Sequence, residues 1–193
     1  GRGVSFNIGQ ALNEVGKDNS FWVGIAKSVD AVDATSCTDN DISTLDQMKG
    51  VLACIVFYGE TANGKKKGEV EIFENLNGAF TSLGVIPTTD TNVPLKDDTI
   101  CICVPQNSAT EIQKTFEYHV RHNSGDASWT EINAETHPSR PKPAGTDNLF
   151  MVGGFYNSSG GDLTIVDMKF GGNSEMPEEL VDVPKLIHLR APL

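Results

Sequence analysis

Two cysteines and two histidines have the spacing that first suggests chemistry in this chain. Cys101 and Cys103 flank Ile102 in a run of strand-forming residues, and His119 and His122 follow at a separation of three. On a strand, His119 and His122 point to opposite faces and cannot bind one metal ion together. Cys101 and Cys103 share a face with Cβ atoms roughly 6.5–7 Å apart, whereas a disulfide needs about 3.8 Å. We therefore expect neither a metal site nor a 101–103 disulfide.

Acidic side chains are the second candidate for chemistry. Glu69 and Glu71 would share a strand face about 7 Å apart, a separation at which two carboxylates can hydrolyse a glycosidic bond. The hairpin tip beside them carries no aromatic residue that would stack on a sugar, which favours a solvated outer face. The clusters at 39–41 and 97–98 lack the glycine and distal glutamate of an EF-hand loop. We expect no catalytic residue, metal or cofactor, and a β-sandwich glycoside hydrolase stays as an alternative.

A polar turn offers a site for recognition without catalysis. His122, Asn123 and Asp126 belong to this turn, Trp129 follows it, and Tyr118 lies across the expected hairpin. An aromatic platform beside fixed polar groups is a common way to build a sugar or peptide pocket. These residues are therefore the candidate binding residues. The competing interpretation places Trp129 in the core as part of its strand.

Strands must position these residues, because the dominant hydrophobic period is two. The expected strands are 21–26, 51–58, 69–74, 99–104, 116–121, 128–132, 149–156, 163–170 and 185–189. The run 51–58 is apolar throughout, which predicts burial on both faces in the middle of a sheet. Asn63-Gly64 favours a tight turn and predicts a hairpin between 51–58 and 69–74, with Val70 and Ile72 inward and the carboxylates outward.

This pattern predicts an all-β fold: a compact antiparallel β-barrel or sandwich with long polar loops and one or two short helices. The helix signals are an apolar stripe at Ile8, Leu12 and Val15, a capping residue for 43–48, and a single turn at 109–114. The proline-containing stretch 137–143 is expected to be a surface loop. We therefore expect one domain over 1–193.

Composition excludes several classes of partner. The chain has 193 residues and a formal net charge of −11, from 15 Lys and Arg against 26 Asp and Glu. An acidic protein is a poor match for a nucleic-acid backbone or an anionic membrane surface. No apolar run approaches the roughly 20 residues that span a bilayer, so we expect no membrane insertion. The four cysteines are not spaced as in a secreted scaffold, which predicts reduced thiols and assembly in the cytoplasm.

Three features of the chain suggest a known family. They are long loops of Gly, Ser, Thr and Asn between short strands, the absence of a catalytic motif, and the closing sequence of residues 183–193 (VPKLIHLRAPL). The chain resembles the protruding spike domain of viral capsids, most of all the avian-type spike of astroviruses. The resemblance implies a dimeric β-barrel on the virion surface, assembled in the host cytoplasm as a fragment of a longer precursor. Such a domain attaches the particle to a host cell-surface receptor, glycan or protein, and carries antibody epitopes.

Two further expectations follow from the same residues. Edge strands of a small sheet must be covered or paired, and symmetric pairing into a homodimer is a common solution. The other non-enzymatic hypothesis is a cellular carbohydrate-binding, lectin-like domain. It differs from a capsid spike in its setting more than in its chemistry.

Overall fold

The computed structural model describes residues 2–8, 20–26, 41–42, 51–59, 66–76, 79–95, 97–104, 116–123, 128–132, 150–156, 162–171, 181–182 and 187–190. All regular structure in these ranges is β-strand, in two sheets that do not close into a barrel. The predicted all-β class is confirmed, and of its two forms the sandwich is the one observed.

Thirteen strands in the described ranges make up the two sheets. In chain order they are β1 Arg2–Ile8, β2 Ser20–Ala26, β3 Asp41–Ile42, β4 Val51–Phe57, β5 Val70–Leu76, β6 Ala79–Ile86, β7 Thr99–Val104, β8 Glu117–Arg121, β9 Thr130–Glu131, β10 Phe150–Tyr156, β11 Asp162–Gly171, β12 Val181–Asp182 and β13 Ile187–Arg190.

Sheet A has the strand order β12-β11-β1-β7-β8-β9, with β13 also paired to β11, and sheet B has the order β3-β10-β2-β4-β5-β6. Every pair is antiparallel except the short parallel pair of β3 with β10. The predicted hairpin of β4 and β5 is confirmed, with Ile55 opposite Ile72. Close approach of β2 and β4 requires Gly24, since a Cβ there would lie 2.5 Å from the carbonyl oxygen of Ala53.

The main core lies between the sheets and follows the period of two. Alternate residues of β1, β7 and β8 from sheet A meet alternate residues of β2, β4 and β5 from sheet B. Its large buried side chains include Phe6, Phe21, Val23, Ile25, Ile55, Phe57, Ile72, Ile100, Ile102, Tyr118 and Val120. Phe21 and Phe57 stack with ring centroids 4.6 Å apart, which ties β2 to β4 at the sandwich centre.

The outer face of sheet B carries a second buried cluster. It consists of Trp22, Val51, Cys54, Val56, Tyr58 and Phe73, with Phe80 and Val152 packed against it. Strand β4 contributes to both clusters, and of its residues Leu52 alone is only partly buried. The prediction that 51–58 is buried on both faces is thus confirmed.

Helix formation was the weakest part of the sequence prediction. Ile8, expected on a helical face, is the last residue of strand β1, because Val4 and Phe6 alternate with polar residues and pair with β7 and β11. The remainder of that candidate and the helices expected at 43–48 and 109–114 lie outside the described residues. In the part of the chain that the structure describes, no helix is long and apolar enough to cross a membrane.

Candidate functional site

The candidate site lies on the β8–β9 hairpin at one edge of sheet A, and the register of this hairpin positions its side chains. His119 lies opposite Glu131 and Val120 opposite Thr130. The next position along each strand brings Arg121 to Trp129, and the guanidinium carbon lies 4.9 Å from the centroid of the indole ring. The predicted hairpin is confirmed, although its second strand is only two residues long.

Trp129 is half-buried beneath this guanidinium. Its Nε1 atom is shielded from solvent and has no hydrogen-bond partner among the described residues. A cation over an indole face contributes about 0.5–1 kcal/mol at an exposed site, so Arg121 helps to hold the ring in one orientation. Trp129 as a whole is partly exposed, so some of its surface remains accessible beside Arg121.

Asp98 fixes the turn that follows β8. Its Oδ1 accepts a hydrogen bond from the backbone N–H of Asn123 at 2.9 Å. Its Oδ2 accepts one from the backbone N–H of Leu95 at 2.7 Å and lies 2.7 Å from Nδ1 of His122. Because a carboxylate can only accept, Nδ1 of His122 carries the hydrogen. The Asp98 side chain is 4% exposed, and these three part-buried interactions with one buried carboxylate hold the turn.

The segment before β7 is itself anchored, which makes Asp98 a rigid support. Asp97 has a φ of 64°, in the left-handed region that aspartate tolerates better than most residues. Its backbone carbonyl accepts a hydrogen bond from Nδ2 of Asn7 on β1 at 2.6 Å. The candidate site thus rests on β1, β7 and β8 together and not on an isolated loop.

The predicted binding residues divide into three groups. His122, Asn123 and Trp129 lie together at the end of β8 and in its hairpin, while Asp126 lies outside the described residues. Tyr118 does not face Trp129: its carbonyl accepts a hydrogen bond from the N–H of Ile132 at 2.6 Å. Its side chain is 1% exposed in the main core, so Tyr118 is not available as a surface platform. The alternation of 116, 118 and 120 toward the interior accounts for this position.

Two residues of the site did not emerge from the sequence as binding candidates. The sequence places Asp98 only in the acidic cluster 97–98 and Arg121 only in the expected strand 116–121. Arg121 could have been found by extending the hairpin register by one residue from Val120 and Thr130. The role of Asp98 depends on a contact across 25 residues to Asn123, for which the sequence carries no local signal.

The carboxylates of β5 are placed differently from the prediction of a solvated face. Glu71 points outward from sheet B but is only 4% exposed, and its two oxygens accept hydrogen bonds from the Tyr58 hydroxyl at 2.7 Å and the Ser82 hydroxyl at 2.6 Å. Burial, and then the nearby Glu71 charge, raises the pKa of the Cys54 thiol well above its usual range. Glu69 accepts a hydrogen bond from the backbone N–H of Lys66 at 2.8 Å.

Glu74 was expected to point outward with the other carboxylates, and this was wrong. It has the same parity as Val70 and Ile72, so it faces the sandwich interior, where it is 1% exposed. The Tyr118 hydroxyl donates a hydrogen bond to its Oε1 at 3.1 Å. A buried carboxylate with a phenolic donor stabilises the packing of sheet A on sheet B.

The expectation that Cys101 and Cys103 do not form a bridge is also wrong. They form a disulfide, with Cα atoms 6.1 Å apart. This Cα separation is within the usual range for disulfides, so the prediction failed because it assumed the Cβ separation of an ideal strand. Reduced thiols were therefore wrongly expected for this pair, whereas Cys54 is a buried cysteine outside any disulfide. Cys37 lies outside the described residues.

Within the described ranges, no group of three or more His, Cys, Asp or Glu side chains is arranged to hold a metal ion. The described geometry of the site is that of an aromatic platform, a cation and a fixed polar turn. No protein-family model, curated protein or solved structure matches the chain.

Proposed function

We propose that this chain is a non-enzymatic recognition domain, the protruding spike of a viral capsid, which attaches the particle to a host cell-surface receptor. The ligand is a glycan or a protein, and the contact surface is the β8–β9 hairpin. A cellular lectin-like domain would use the same surface, so the two differ in setting and not in the site.

One observation carries the proposal: Trp129 and Arg121 form a stacked pair beside a turn that the buried Asp98 holds in place. An indole face binds the apolar side of a sugar ring or a peptide side chain, and the guanidinium donates to hydroxyl or carboxylate groups. Rigid support matters because a preorganised surface loses little conformational entropy on binding. The exposed Asn123 adds a polar group at the rim of this surface, whereas Nδ1 of His122 is bound to Asp98 and its Nε2 is shielded from solvent.

The carboxylates of the hydrolase alternative have structural partners. Glu71 is engaged by two hydroxyl groups, and Glu69 by a backbone N–H of its own hairpin. Both interactions explain these residues without substrate. The recognition hypothesis leaves Glu69 and Glu71 in these contacts, and for this reason we favour it over the hydrolase.

We further propose that the spike is a homodimer. Strand β6 is the last strand of sheet B in the part of the chain that the structure describes, and it carries the exposed Val85. Leu95 is 58% exposed on the connection between β6 and β7. Apolar side chains beside a sheet edge favour association with a second copy, and a dimer would present two receptor surfaces and gain avidity. Antibodies that block attachment are expected to bind the same exposed hairpin.

The test compares two tryptophan variants. Trp129→Ala is expected to weaken binding to a glycan array or to cultured vertebrate cells by at least about tenfold, the loss typical of an aromatic hot spot. Its melting temperature should change little, because the ring is only half-buried. The matched control, Trp22→Phe, alters a 1% exposed indole on the opposite side of the sandwich and should lower the melting temperature while leaving binding unchanged.

Equal losses of binding and stability in Trp129→Ala would contradict the proposal, because the indole would then act as a core residue. Full binding by that variant would also contradict it. Turnover of a glycoside substrate that Glu71→Gln abolishes would replace it with the hydrolase alternative.

A further inference from the structure

The outer face of sheet A brings a disulfide and an imidazole into one row of side chains. Strand register places Ser5 opposite Cys101, and Cys101 opposite His119. Side chains directly opposite each other in an antiparallel pair have Cβ atoms about 4.5–5.5 Å apart. His119 is therefore the cross-strand neighbour of one of the two sulfur-bearing residues.

The two sulfur atoms differ in their access to solvent. Cys101 is fully buried, and both of its row neighbours are at most 7% exposed. Cys103, one pleat further along β7, is only partly buried. A thiolate attacks a disulfide at the sulfur that it can reach, and the other sulfur leaves. Access therefore selects Cys103 as the attacked atom and Cys101 as the leaving group.

His119 is placed to help that leaving group. Its Nε2 lies 3.2 Å from Oε2 of Glu117. Polar and charged neighbours change the pKa of a cysteine thiol, and a thiol of lower pKa leaves faster. The described charged groups around His119 are Glu117 and Arg121 on its own strand and Glu131 opposite it on β9.

The bridge closes a very short loop, because its cysteines are separated by only two positions. Loop-closure entropy makes the smallest contribution to a disulfide that spans so few residues. The surrounding sheet hydrogen bonds hold β7 between β1 and β8 whether or not the bridge is present. The fold therefore does not depend on this disulfide, which leaves the bond free to react.

We propose that Cys101–Cys103 is a reversible thiol–disulfide exchange site for an external dithiol. One thiolate of the dithiol attacks Sγ of Cys103, the Cys101–Cys103 bond breaks, and the electron pair leaves with Cys101, beside His119. The second thiol of the reagent, as its thiolate, then attacks its own sulfur in the mixed disulfide and releases Cys103. The protein gains two electrons and two protons, and the dithiol becomes a cyclic disulfide; oxidised dithiol reverses both steps.

The test is alkylation of the native protein followed by peptide mass spectrometry. It uses the Cys37→Ser variant, whose thermal unfolding is first compared with that of the natural chain. Brief treatment with dithiothreitol should allow alkylation of Cys103 in the native protein, while the buried Cys101 and Cys54 stay unmodified. With the monothiol glutathione, the mixed disulfide should form on Cys103 and not on Cys101. Four outcomes would overturn the proposal: no bridge in the untreated protein, reaction only after unfolding, attack at Cys101, or a bridge that does not re-form with oxidised dithiothreitol.

A pair of histidine variants tests the leaving-group assignment. His119→Gln should slow native exchange, because the leaving Cys101 thiolate loses its neighbouring imidazole. His188→Gln makes the same substitution on β13, separated from β7 by β11 and β1, and should exchange at the natural rate. Equal rates in both variants would refute the role of His119. If either variant fails to fold, the sulfur selectivity of the natural chain still decides the proposal.

Discussion

Removing the hydroxyl of Tyr118 separates its structural role from a binding role. Tyr118→Phe deletes the donor to Glu74 and leaves the ring in the core. Both residues are 1% exposed, so the lost hydrogen bond is to a shielded carboxylate. A hydrogen bond to a charged group is worth about 1.5–3 kcal/mol. For a chain of this length that corresponds to a fall in melting temperature of roughly 3–12 °C.

The assay is urea unfolding of the single variants and of the Tyr118→Phe/Glu74→Gln double variant. The double-mutant cycle should give a coupling free energy of about 1 kcal/mol or more, because the residues are in direct contact. Binding to cells or glycans should stay at the level of the natural chain in Tyr118→Phe. A loss of stability below about 0.5 kcal/mol with no coupling would refute the assigned hydrogen bond, and lost binding at full stability would restore Tyr118 to the binding surface.

Three further predictions follow from the described contacts. Glu71→Gln should lower the unfolding free energy by about 1–3 kcal/mol, because two hydroxyl donors lose a charged acceptor; an unchanged urea midpoint would contradict this. Gly24→Ala should cost at least about 1–3 kcal/mol, since its Cβ would meet the carbonyl of Ala53 at 2.5 Å; a stable, well-folded Gly24→Ala protein would show that β2 and β4 can separate. Sedimentation equilibrium at micromolar concentration should give about twice the chain mass of 20.8 kDa, and a mass of one chain would exclude the homodimer under those conditions.

Periodicity predicted most of the strands that lie in the centre of the sheets. The apolar run of β4 and the alternation of β8 are strong strand signals. Both patterns follow from which side chains are buried, and the sequence shows this directly as apolar residues. Strands β1, β3, β6 and β12 were missed. In β6, small and polar residues such as Ser82 weaken the alternation, and a shift of register opposite the Ile72–Phe73 step breaks its period.

The site was predicted less well than the fold. The position of the polar turn and of Trp129 follows from a local hairpin, which a sequence shows. The support from Asp98 and the burial of Glu71 depend on contacts between distant segments, which periodicity does not contain. The disulfide was excluded by assuming the Cβ separation of an ideal strand, although the Cα separation of 6.1 Å is within the usual range for disulfides.

Hydroxyl-radical footprinting of the protein, free and bound to membranes of a cell line that binds it, tests receptor recognition at the β8–β9 hairpin most directly. The chain contains two tryptophans, and the buried Trp22 serves as an internal control. The proposal predicts that binding protects Trp129 from oxidation while the low labelling of Trp22 stays the same. Unchanged labelling of Trp129 in the bound protein would show that the receptor contacts another surface.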